Sequence, residues 1–185
     1  MIISKSKPKE LRSKLFKGAP PVIREIDINH DMAVLWAAHK KGAFNLPEVT
    51  QEEFRNEMNG LLGQFNFGWM IEDVNSKFSS GRGPVTMVVG VFNQWELEPK
   101  FFVFPWATLH NRLRCGVSFV QKSRYSKDIG IITIMADSKR YWSRVRKYFM
   151  APEVPRDKGV LGYVGRIPDG NITEDRHIYY IRCRA

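Results

Sequence analysis

The sequence predicts a single mixed α+β domain in which a largely antiparallel sheet is flanked by about four helices, behind a basic N-terminal arm. Three observations carry this. The 185 residues are 43% hydrophobic and 12% aromatic, enough for one core and too short for two ordinary domains. Apolar residues alternate at period two in some segments and recur at three- and four-residue steps in others. Two short runs, around Phe101-Phe102-Val103-Phe104 and Ile131-Ile132-Thr133-Ile134, are apolar on both faces, as strands covered on both sides must be.

In chain order, residues 22–28 read as a strand, and Asn29 or Asp31 is placed to cap a helix through about residue 44. Thr50-Gln51-Glu52-Glu53 has the spacing of a capping box, and Phe54, Met58 and Leu61 then share one helical face. Phe67, Trp69 and Ile71 alternate along a second strand. Val85, Met87, Val89 and Val91 do so along a third, with a Ser/Gly-rich loop at 75–83 making the two a hairpin.

The apolar strand at 100–106 should be central, with Pro105 interrupting its ladder and producing a bulge or a parting from its neighbour. Thr108 can cap a helix carrying Leu109, Leu113, Val117 and Val120, which Gly116 weakens. A strand at 129–136 follows. Asp137 is placed to cap a helix whose Tyr141, Trp142, Val145, Tyr148 and Phe149 form one stripe. Strands at 160–167 and 177–183 are joined by the turn Pro168-Asp169-Gly170-Asn171.

Charge is unevenly distributed. The net charge is +10, and Lys5, Lys7, Lys9, Arg12, Lys14 and Lys17, set against Glu10 alone, supply half of it. Residues 1–19 therefore read as a flexible arm that orders on an acidic partner or a phosphate backbone, and residues 20–185 as the domain. Leu11, Leu15 and Phe16 offer the arm a small apolar face for docking. No apolar run approaches the roughly 20 residues of a membrane helix, so no membrane partner is expected. Cys115 and Cys183 do not make a disulfide framework, and the four histidines lack metal-ligand spacing, so no metal is expected. Trp95, with Leu97 beside it, falls in a connection between strands, where a large aromatic suits a protein interface as well as local packing.

The order strand, helix, helix, three strands, helix, strand, helix, two strands resembles the GCN5-related N-acetyltransferase (GNAT) fold over residues 20–185. The resemblance implies that the fourth and fifth strands diverge to admit the pantetheine arm of acetyl-CoA, with Pro105 near the divergence. It implies a glutamate base, for which Glu72 is available, and a tyrosine acid, for which Tyr141 or Tyr148 is available. Family members grip the cofactor diphosphate with a glycine-containing loop at a helix N-terminus. The matching stretch here, Ala107-Thr108-Leu109-His110-Asn111-Arg112, has no glycine, leaving Thr108, His110 and Arg112 as candidate phosphate ligands.

The chain also resembles virion-associated proteins of tailed phages. Two readings follow. In the first, the fold serves as a non-catalytic component of a phage particle, without cofactor, present in several copies, assembled in the host cytoplasm and bound to other virion proteins or packaged DNA through the arm, Trp95 and Leu97. In the second, the protein is a cytoplasmic N-acetyltransferase that uses acetyl-CoA through an atypical diphosphate loop.

Overall fold

The computed structural model describes residues 8–44, 46–74, 76, 82–125, 129–136, 139–149, 160–167 and 176–183. Along the chain these form α1 (Pro8–Leu15), β1 (Val22–Glu25), α2 (Ile28–His39), α3 (Gln51–Gly63), β2 (Phe67–Asp73), β3 (Gly83–Asn93), β4 (Glu96–Val103), α4 (Leu109–Arg124), β5 (Ile131–Ala136), α5 (Lys139–Lys147), β6 (Leu161–Ile167) and β7 (Arg176–Arg182). The strands make one sheet in the order β1-β2-β3-β4-β5-β7-β6. Every pairing is antiparallel except β4 with β5.

Alternation along the strands divides the core between the two faces. Met70, Met87, Val89 and Phe104 point toward α2 and α3, where they meet Leu35, Phe54 and Met58. Ile71, Val88, Leu97, Ile132, Ile134, Tyr179 and Ile181 point the other way, toward Val117, Phe119 and Val120 of α4 and Trp142 and Val145 of α5. The Thr50–Glu53 capping box forms as its spacing predicts. The first long helix is capped instead by Asp27, whose carboxylate accepts from Asn29 N and His30 N. Asp31 lies within the first turn instead, buried, with its carboxylate accepting from Arg24 and from Asp27 N. Gly116 has a packing reason inside α4, because the Tyr141 hydroxyl and Val145 lie where its Cβ would be.

The expectation of a flexible arm is corrected for residues 8–19. They begin with a fifth helix, and Leu15 is buried in the main core with Phe16 packed beside it. The cause is Arg114 on α4. Its guanidinium is fully buried, pairs with Asp73 at 2.8 Å, and donates to the carbonyls of Leu15, Lys17 and Ala19. A buried cation needs partners for its donors, and these three backbone carbonyls supply them beside Asp73. Lys5 and Lys7, the Asp137 cap and the turn at 168–171 lie outside the described residues, as does most of the loop at 75–83.

Candidate functional site

The site begins with how β4 is held at its start. Asn93 pairs with Glu96, so Gln94 and Trp95 make a two-residue turn, with Gln94 at φ 53° as such hairpins require. This places Trp95 in a tight hairpin turn, as part of the connection between strands that the sequence suggested, and Leu97 in β4 itself. In this register the even residues of β4 exchange backbone bonds with β3, as Phe104 N does with Val85 O. The odd residues therefore turn their backbone groups toward β5. Trp95 O accepts from Gly130 N and Ile131 N, and β4 and β5 pair only at Glu96–Ile131 and Leu97–Ile132.

The next odd residue is Pro99. Its ring leaves no N–H where β5 would need a donor, and pairing stops there. On its other side Pro99 stands opposite Gly90, where an added Cβ would come within 2.5 Å of Glu98 O. The proline expected to part the strands, Pro105, lies beyond β4. It follows Phe104 in a turn closed by Ala107 N donating to Phe104 O, the second turn position that its fixed φ suits. No register shift occurs between β3 and β4, so the parting needs no bulge in β4.

Past Pro99 the strands separate around a cavity of about 900 Å³. Its lining comes from both faces of the sheet. Arg112 of α4 and Arg140, Tyr141, Trp142 and Arg144 of α5 stand on one side, with Phe101 and Val103 of β4. Glu98 and Lys100 share the opposite face of β4 with Phe102, and Phe65, Val91, Thr133 and Met135 line the cavity there. A smaller hollow of about 100 Å³, bounded by Thr86, Phe101, Val103, Cys115 and Trp142, adjoins it on the α4 side.

The start of α4 closes on itself. Thr108 caps it, with Asn111 N donating to Thr108 Oγ1 at 3.2 Å and Thr108 N to Asn111 Oδ1 at 3.3 Å. Asn111 Nδ2 reaches Asp73, the partner of Arg114, so this helix start and the N-terminal segment share one buried carboxylate. Arg112 Nε donates to Ala107 O, which fixes the guanidinium at the cavity wall. The Tyr141 hydroxyl donates to Arg112 O at 2.6 Å, and burial pushes its pKa up, so the phenol is neutral. Burial, reinforced by Asp73, likewise raises the Cys115 thiol.

Several sequence-based assignments move. Glu72 lies on β2 outside the cavity lining, where its carboxylate accepts from Arg24 Nε at 2.9 Å within an Arg24–Asp31–Glu72 network. Tyr148 packs against the core and does not line the cavity. Thr108 is occupied as a cap and His110 is exposed; of the three candidate phosphate ligands, Arg112 lines the cavity. Leu97 is fully buried and cannot meet a partner. Trp95 is 58% exposed yet lies against Gly130, whose missing side chain makes room for its ring. Lys9 and Arg12 belong to α1, Lys14 pairs with Glu10, and Lys17 is exposed.

The charged cavity residues that sequence reasoning missed are Glu98 and Lys100, whereas Arg140 and Arg144 belong to a basic cluster that the sequence marks as able to hold phosphates. The acid and base alternating at 98 and 100 signal one strand face, but the opening behind that face follows only from the pairing of β4.

No protein-family model matches the chain, and no curated protein matches it by sequence. Solved structures match over nearly the whole length. One is the ribosomal L7/L12 α-N-protein acetyltransferase RimL in complex with coenzyme A, at TM-score 0.59 and 14% identity, covering 90% of this chain and 96% of that one. Another is a chimera of spermidine N-acetyltransferase SpeG from Vibrio cholerae with human SSAT, at TM-score 0.55 and 12% identity, covering 89% and 96%. A third is a GNAT-family acetyltransferase from Streptococcus pneumoniae, at TM-score 0.54 and 12% identity, covering 89% and 99%. At these identities the likeness is one of fold: the chain has the mixed α+β GNAT architecture. Among the described residues no helix is long and apolar enough to cross a membrane.

Proposed function

We propose that the protein binds a coenzyme A thioester from the α4/α5 side of the β4–β5 opening and transfers its acyl group to an amine that enters from the Glu98 side. The observation carrying this reading is that the opening is lined from both faces of the sheet, with guanidinium groups on one side and a carboxylate on the other. A thioester supplies an activated acyl carbon.

The residues present fit such a donor, although differently from the glycine loop that the family resemblance implies. The capping box already uses the N–H groups of Thr108 and Asn111, so two of the first amides of α4 are taken. Arg112, Arg140 and Arg144 line the same side, and planar guanidinium groups match phosphate oxygens bidentately. Phe101 and Val103 turn backbone groups toward the gap where β5 has departed, as partners for the amides of a pantetheine arm. Glu98 accepts the proton of the incoming ammonium, directly or through one water, so that nitrogen attacks as a neutral amine. Tyr141 ties α5 to α4 through Arg112 O and so positions the arginine wall.

Calorimetric titration with acetyl-CoA tests the reading. Micromolar affinity is expected, weakened about tenfold or more by Arg112→Ala and by Arg144→Ala, since a charge-assisted hydrogen bond contributes about 1.5–3 kcal/mol. Absence of binding at millimolar acetyl-CoA overturns it.

A second reading, binding without turnover, is favoured by the Tyr141 hydroxyl, whose proton is committed to a backbone carbonyl. It predicts that Glu98→Gln leaves thiol release from acetyl-CoA unchanged. The role in a phage particle rests on the element order, the missing diphosphate glycines, the basic N-terminal segment and the Trp95 connection, and gains no support from the structural neighbours. Part of that segment, residues 15–19, is tied to the fold through its backbone carbonyls by Arg114, with Leu15 buried.

A further inference from the structure

Resting on the acyl-transfer reading, we infer that the amine acceptor is a small zwitterion: an α-amino acid, or a close analogue with a carboxylate beside its amine. Glu98 and Lys100 are two residues apart on β4 and therefore on one face, about 7 Å apart along the strand, and both line the opening. Neither has an ion-pair partner among the described residues, and they do not pair with each other. The nearby acid Glu96 is committed, accepting from Thr133 Oγ1 at 2.7 Å. The Lys100 ammonium lies 5.4 Å from the centroid of the Phe65 ring, which holds it at the cavity wall. The face thus presents one negative and one positive group at adjacent positions, the complement of an ammonium next to a carboxylate.

The same pair selects against other amines. A polyamine sets a second cation against Lys100, and a peptide N-terminus brings an amide where Lys100 requires an anion. Val91, Phe65 and the half-exposed Met135 supply an apolar wall for a side chain. In the reaction the acceptor nitrogen forms a C–N bond to the acyl carbon as the C–S bond breaks. One ammonium proton passes to Glu98 and from there to solvent; the second, lost as the amide forms, goes to the departing sulfur, which leaves as the free thiol. The products are an N-acyl amino acid and coenzyme A.

The test measures thiol release from acetyl-CoA with leucine, methionine and phenylalanine, with their carboxamides, and with spermidine. At least one amino acid should exceed its own carboxamide and spermidine by tenfold or more in kcat/KM. Lys100→Met should raise KM for that amino acid at least tenfold, to the level of its carboxamide, and Lys100→Glu should shift the preference toward spermidine. Equal turnover of acid and carboxamide by the unaltered protein, or a preference that survives Lys100→Met, overturns the inference. If calorimetry shows acetyl-CoA binding and no amino acid is acylated, the inference falls while the coenzyme A reading stands; if acetyl-CoA does not bind, both fall.

Discussion

The carbonyl oxygen of Trp95 accepts the N–H groups of both Gly130 and Ile131, at 2.7 and 3.1 Å, and its ring covers the space where a Gly130 side chain would project. Among the described residues, this contact and two residue pairs make the backbone junction of β4 with β5 before the sheet opens, with Thr133 Oγ1 donating to Glu96 beside them. The Trp95 side chain, half exposed and easily taken for an interface, is the fastening of the opening.

Gly130→Ala should therefore be costly for so small a change. The added methyl meets the Trp95 ring, and overpacking of this kind destabilises by about 1–3 kcal/mol. Thermal denaturation should show a lowered Tm, and Trp95→Ala in the Gly130→Ala background should recover part of it. Additive losses in the double variant would argue against the contact.

Arg114→Met strands the Asp73 carboxylate and frees the carbonyls of Leu15, Lys17 and Ala19 together. Removing one partner of a buried ion pair costs about 3–5 kcal/mol. Limited proteolysis should then cut near residues 15–19, where the parent protein resists. Adding Asp73→Asn should restore part of the stability without restoring resistance there.

Stability should decline in alkali. Burial raises the Cys183 thiol to about 11 and pushes Cys115 and Tyr141 higher still. A group whose folded pKa is raised contributes stability that is present below its unfolded value and lost as pH rises through the folded one. Denaturant midpoints should therefore hold steady up to about pH 9 and fall above it, and Cys115→Ala with Tyr141→Phe should flatten the fall. At pH 8 both thiols should react with Ellman's reagent far more slowly than after unfolding.

The sequence made the element types legible because its periodicities are clean: Thr50–Glu53 caps where the pattern says, and Phe67, Trp69 and Ile71 of β2 share one face as their alternation says. What it concealed were facts set by distant residues. Pro99 and Pro105 look alike in one dimension, yet only the hairpin at Gln94-Trp95 decides that residue 99 turns its missing N–H toward β5. Glu72 reads as a free acid until Arg24, 48 positions away, is seen to claim it. The N-terminal arm reads as solvated because Arg114, which holds it, is itself written as an ordinary helix cation. The arginine side of the opening is an agreement among α4, α5 and β4 that no local window contains.

Because the gap beyond Pro99 is enforced by a covalent ring, side-chain rearrangement cannot zip β4 and β5 together. A ligand entering there need not first pry hydrogen-bonded strands apart. Preorganisation of this kind leaves more of the contact energy to appear as affinity, and makes the slit a property of the unliganded protein.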